Sequence, residues 1–280
     1  MNLASFVDNI EKAAAERNKA EDGDYIKDGL LHCGKCNTPK QCRVVILDRE
    51  RTPPCMCKCQ IEKREQEEAE RKRIEFERRV KDLRRMGFPE SEMQDWTFEN
   101  ADGSNEKIMT AAKNYVANFG EFKEQGKGLL FFGECGVGKT YFAACIANAL
   151  IDQGVPVLMT SFARIANTTQ GMFGGKQEYY DSLNRFPLLI LDDLAAERKT
   201  EYMQEIVYSV VDSRYRAGLP MIITTNLTSL ELKNPADITY QRIYDRVLER
   251  CHPIKVEGGS KRKELLKKGF GDMQKMLGLE

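Results

Sequence analysis

From Trp96 onward the chain alternates short apolar runs with longer stretches whose apolar residues recur every three or four positions. Gly128–Phe132 (GLLFF), Val157–Thr160, Pro187–Leu191 (PLLIL), Pro220–Thr225 (PMIITT) and Pro253–Val256 have the length and composition of buried strands. Helical spacing fills Lys139–Asp152, pieces of 161–185 interrupted at Gly174 and Gly175, roughly 200–216, and 237–250. Gly154 suits the left-handed position that ends the first of these helices. Strand–helix alternation of this kind predicts an α/β fold, a parallel sheet covered by helices on both faces, and the nearly all-apolar PLLIL belongs at its centre. Residues 60–86 read differently. They favour helix, are dense in both charges and offer only Phe76, Val80 and Leu83 as a weak apolar stripe, which predicts a solvated helical linker. Gly87, Phe88 and Pro89 break it. The polar start of the chain reads as a short helix with no apolar stretch of the kind a signal peptide needs. Three segments follow: 1–59, with a cysteine-rich stretch at 33–59; a linker, 60–94; and 95–280.

The densest chemistry sits just after GLLFF. Gly133–Thr140 reads GECGVGKT, a full match to the phosphate-loop pattern in its strand–loop–helix setting. The glycines let successive backbone N–H groups face phosphate oxygens, and the following helix adds the positive end of its dipole. Gly133, Glu134, Cys135, Gly136, Val137, Gly138, Lys139, Thr140 and Tyr141 are therefore the expected nucleotide-binding run, with Lys139 on the β- and γ-phosphates of ATP and Thr140 on Mg²⁺. Leu188–Asp193 (LLILDD) is an apolar strand ending in two acids, the form of a Walker B motif. Asp192 is expected in the Mg²⁺ shell and Asp193 as the group that orients or deprotonates the attacking water, with Glu197 ranked second. One strand precedes the acidic one and another follows it, tipped by Thr224, Thr225 and Asn226. That order fits ATPases whose fourth strand inserts beside the first, which brings Asn226 to the γ-phosphate. Arg242 and Arg246 stand four apart on one helix face, and either can serve a neighbouring subunit's nucleotide.

GECGVGKT, LLILDDLAAE, MIITTN and RIYDRVLER, in that order and spacing, resemble the DnaC/IstB-like AAA+ ATPases, the replicative helicase loaders. The resemblance covers about 95–262. It implies a P-loop AAA+ core with a five-stranded parallel sheet and no full helical lid, and Mg²⁺-dependent ATP hydrolysis completed in trans. It also implies ATP-controlled homo-oligomers, contact with a DnaB-type replicative helicase and contact with single-stranded DNA. The second arginine of the pair maps the trans-acting finger onto Arg246, and a sensor arginine maps onto Arg262. The stretch 161–185 is similar in position to an insertion that lines a DNA channel. A related branch of the family, the IstB-like helpers of a DNA transposase, is the alternative. A nucleotide-gated adaptor without hydrolysis fits less well, since Asp193, Asn226 and Arg246 are all retained.

Charge and cysteines complete the reading. Lys plus Arg and Asp plus Glu are both 43, so nucleic-acid contact must come from a local patch rather than from net charge. No apolar run is long enough to span a bilayer, and a cytoplasmic protein is expected. Of nine cysteines, six fall between Cys33 and Cys59. Cys33-x-x-Cys36 with glycine between is a common way to place two sulfurs on Zn²⁺, and Cys55-Met-Cys57-Lys-Cys59 supplies the rest. The expected ligands are Cys33, Cys36, Cys57 and Cys59, with Cys55 as substitute and Cys42 a spectator. The arrangement resembles the zinc-binding amino-terminal domain by which some loaders dock on the helicase.

Overall fold

The computed structural model describes residues 20–46, 49–101, 105–195, 200–235, 237–260, 270 and 273–279. The expected amino-terminal helix, Glu197, Arg262 and the basic stretch from Lys261 to Lys268 lie outside the described residues. By its internal contacts the chain divides into Met1–Glu77 and Arg78–Glu280.

In the first unit, two antiparallel hairpins precede a helix: β1 (Tyr25–Lys27) with β2 (Leu30–His32), and β3 (Val44–Ile46) with β4 (Arg49–Arg51). Helix α1, Lys58–Gly87, begins here. Among the described residues of this unit only Cys33, Cys57 and Lys40 are buried, so it has almost no apolar core. The charged stretch of α1 is solvated, as its composition predicts. It is laced with i,i+4 ion pairs such as Lys63–Glu67 and Lys72–Glu68, which add only tenths of a kcal/mol each, roughly, at this exposure. Intrinsic helix propensity carries the rest.

In the second unit, Leu83 at the end of α1 is buried in the core. Helices α2 (Glu106–Ala117) and α3 (Phe119–Glu124) follow, and the sheet then begins. Its elements run β5 (Gly128–Phe132), α4 (Lys139–Asp152), β6 (Val157–Ser161), α5 (Phe162–Thr169), α6 (Lys176–Ser182) and β7 (Leu188–Leu194). They continue with α7 (Glu201–Arg216), β8 (Met221–Thr225), α8 (Ser229–Lys233), α9 (Ile238–Arg250) and β9 (Cys251–Lys255). The five strands are parallel in the order β6-β7-β8-β5-β9. Alternation along β5 explains the layers: Leu129 and Phe131 pack with Tyr115 and Ile146 of α2 and α4, whereas Leu130 faces Val207 and Val247 of α7 and α9. Pro253 is tolerated because β9 is an edge strand. At the strands' entry end Arg214, fully buried, donates to the carbonyls of Phe186, Pro187 and Pro220, and burial lowers it to about 10.

Each of the five expected strands is present, and β8 does insert beside β5. The acidic strand differs in one respect: β7 continues through both aspartates to Leu194. The reason is a β-bulge. Leu191 pairs with Ile223 and Leu194 with Thr225, so β7 carries one residue more than β8 over this span.

Candidate nucleotide site and metal centre

The phosphate loop joins the end of β5 to the start of α4. Gly138 caps α4 at φ +99°, a conformation closed to most side chains. A Cβ on Gly133 would lie 2.3 Å from the carbonyl oxygen of Val256, so only glycine lets the loop pass the end of β9. Glu134 and Cys135 are exposed at its tip, while Val137 anchors it in the core.

Lys139 is buried, and its ammonium donates to Gly133 O at 3.0 Å, Glu134 O at 2.7 Å and Asn226 Oδ1 at 2.7 Å. The lysine of α4 and the asparagine after β8 thus meet where a phosphate chain would lie. Asp192 is half-buried, and this desolvation raises its carboxyl above the ordinary range against the pull of the Thr224 hydroxyl, the Thr140 hydroxyl and Lys139. Thr224 donates to Asp192 Oδ1 at 2.7 Å and accepts the backbone N–H of Asp193 at 2.9 Å. Both jobs of that hydroxyl fix the bulge. The sequence showed Thr224 only as a polar strand tip; the pairing of two adjacent hydroxyl residues with two acids on a neighbouring strand was its one signal. Asp193 sits in the bulge at φ +58°, a region that aspartate tolerates, with its side chain exposed. A cavity of about 830 Å³ opens beside the loop, lined by Gly133, Val137, Asn226, Leu230 and Val256 among others.

Tyr141, the last residue of the expected nucleotide run, donates its hydroxyl to Thr97 O at 2.9 Å, and its ring lies 5.8 Å from that of Trp96. Asn148 holds the same segment through Met93 O and Trp96 O. Arg242 is exposed on α9. Arg246, one turn on, is half-buried and held against α7 by Asp212 at 3.0 Å and the Tyr208 hydroxyl at 3.3 Å.

In the first unit the sulfurs of Cys33, Cys36, Cys57 and Cys59 all lie within 4.8 Å of one another. The separations are 3.6 Å for Cys33–Cys59 and 3.3 Å for Cys57–Cys59, close to the edges of a tetrahedron of sulfurs about 2.3 Å from a central zinc. The Thr38 hydroxyl draws Cys36 down to about 5, whereas the thiols of Cys57 and Cys33 push Cys59 up to about 12. Sulfurs this crowded become thiolates together only with a cation among them, so the donor set fits zinc. Cys55, the substitute, is turned away and its thiol donates to Pro39 O at 3.6 Å. Asp24 accepts the Gly34 N–H of the C-x-x-C loop at 3.0 Å and is itself gripped by buried Lys40 at 2.6 Å.

A family model described as IstB-like ATP binding protein matches residues 61–268. The chain belongs to this family. Among its relatives are the replicative helicase loader DnaI of Bacillus subtilis (strain 168), 24% identical over 69% of this chain and 66% of that protein, and DnaC of Escherichia coli (strain K12), 27% identical over 55% and 63%. The chain therefore spans a little under two thirds of the length of these relatives. A crystal structure of DnaI aligns with TM-score 0.52 at 26% identity over 64% of this chain and 98% of that one. The DnaC helicase loader shares the fold at TM-score 0.53 and 22% identity, over 60% and 100%. The family is ATP-binding, and the core is that of a P-loop AAA+ protein. Among the described residues no helix is long and apolar enough to cross a membrane.

Proposed function

We propose that this protein is an ATP-hydrolysing loader of a DnaB-type replicative helicase, working in the cytoplasm and contacting single-stranded DNA. The observation that carries the ATPase reading is the convergence of Lys139, Asn226, Thr140, Thr224 and Asp192 from three separate elements on one side of the phosphate loop. The loader reading is supported by the relatives named DnaI and DnaC. In this reading Lys139 leaves its backbone acceptors for the β- and γ-phosphates of ATP. Thr140 and Asp192 would hold Mg²⁺, which would supply positive charge to the phosphate oxygens. Asp193 orients or deprotonates the attacking water, and Asn226, released from Lys139, faces the γ-phosphate. Arg246 of a neighbouring chain stabilises the departing charge, and Arg262 senses the nucleotide. The stretch 161–185 faces the DNA. The zinc region engages the helicase.

Replacing Lys139 by Ala should abolish both ATP binding and turnover, while Asp193→Asn should stop turnover and leave binding intact. Equal rates for wild type and Asp193→Asn would remove Asp193 as the base. The matching family model also bears the IstB name, which favours a second reading, a helper of a DNA transposase. Capture of purified replicative helicase, and not of transposase, with ATP present is the result expected for a loader; the reverse would make it the transposase helper.

A further inference from the structure

Arg246 does not wave in solvent. Its Nη2 lies 3.0 Å from Asp212 Oδ1 and donates to the Tyr208 hydroxyl at 3.3 Å, and its Nη1 donates to Arg242 O at 3.3 Å. The guanidinium also stands 5.0 Å and 5.7 Å from the ring centres of Tyr208 and Tyr215. Tyr208, Asp212 and Tyr215 all come from α7, so one helix supplies the side chains that seat an arginine of another. By contrast, the side chain of Arg242, on the same helix, has no hydrogen-bond or ion-pair partner among the described residues.

The seat is not needed to join the two helices. Val207, Val210 and Val211 of α7 already pack with Ile243, Tyr244 and Val247 of α9 in one apolar cluster. What the seat does is remove rotamer freedom from a long side chain. It also leaves the charge available: Asp212 gives its second oxygen to Arg216 at 2.8 Å, so two guanidinium groups share one carboxylate and the cluster stays positive. A quarter of the Arg246 side chain remains exposed. A cation fixed on its stem and positive at its open edge is set up to meet an anion arriving from outside.

We propose that Asp212 is a positioning residue for Arg246: it aims the guanidinium at the γ-phosphate held by the next chain. This rests on the reading of Arg246 as the trans-acting arginine. The role is exerted on a neighbour's nucleotide, so its loss is repairable by a neighbour, which a folding defect is not. Asp212→Ala, and the isosteric Asp212→Asn, should bind ATP like wild type yet hydrolyse it on the order of 10- to 100-fold more slowly. Mixing either with chains carrying Asp192→Asn and Asp193→Asn together, which hydrolyse nothing but keep Arg246 seated, should restore turnover at the variant's own sites. Arg246→Ala in the same mixtures is the control and should behave likewise, with a deeper initial loss. If Arg246→Ala is slow and repaired while the Asp212 variants run at the wild-type rate, or stay slow in the mixtures, Asp212 has no positioning role. If Arg246→Ala itself hydrolyses normally or is not repaired, the trans reading fails and this inference falls with it.

Discussion

At the scale of single residues, Asp192 shows what a half-buried acid costs the fold. Its carboxyl lies beside Asp193, and desolvation raises it above its ordinary range. A group whose folded-state pKa is raised binds its proton more tightly in the folded chain, so it weakens the fold as pH climbs from the ordinary carboxylate range through that raised value. Above it the penalty is complete. Asp192→Asn keeps an acceptor for the Thr224 hydroxyl and discards the charge. Without Mg²⁺ and nucleotide it should therefore melt higher at neutral pH. The gain should vanish in acid and shrink when Mg²⁺ and ATP are added to both proteins, while turnover is lost. Thermal melts across pH with and without the metal decide it; a lower melting point for Asp192→Asn at neutral pH would contradict the burial argument.

At the scale of elements, β5 is the strand on which the site hangs, flanked by β8 on one side and β9 on the other. The fit at its start is close: a Cβ on Gly128 would lie 1.7 Å from the carbonyl oxygen of Met221. Gly128→Ala must push β5 and β8 apart, which should cost about 2–3 kcal/mol. Gly120→Ala in α3, where an added Cβ meets nothing within 4 Å, should leave the melting point unchanged or slightly raised. Calorimetry on the two variants tests the contrast, and equal melting points would show that the sheet relaxes freely at Gly128. The elements that the sequence made legible share one property: their signals are local. The phosphate loop, the five apolar strands and the adjacent aspartates each lie within a few residues. The hairpins around the cysteines did not show, since their strands are three residues long, with β1 exposed throughout, and lack any buried alternation. Helices α2 and α3 were passed over beside the stronger pattern of the sheet. The hydroxyl of Thr224 on Asp192 and the seat of Arg246 on Asp212 join residues from different elements, and nothing in either segment alone announces the contact. The clustering of four sulfurs was readable because cysteine spacing encodes a metal's geometry, while the place of Cys55 outside that cluster needed the path of the chain.

At the scale of the whole molecule, two kinds of stability coexist. The described part of residues 78–280 buries two apolar clusters against a sheet and is held together by the hydrophobic effect. The described part of residues 1–77 buries Cys33, Cys57 and Lys40 and little else, so a metal held by the four sulfurs would supply most of its folding free energy. Asp24, whose carboxyl the Lys40 ammonium holds down at about 2, ties the C-x-x-C loop in place, yet that single ion pair cannot replace a core. The full chain should carry one zinc by elemental analysis. Stripping it with a strong chelator should open residues 20–57 to protease, while ATP binding and the melting of the remainder stay as they were. Cys57→Ala should reproduce the stripped state, whereas Cys55→Ala, at a thiol that donates to Pro39 O and lies outside the four-sulfur cluster, should keep the metal and its protection. Zinc lost from both variants alike would make Cys55 a ligand, and a metal-free chain equally resistant to protease would mean that this segment folds on contacts other than those of its four sulfurs.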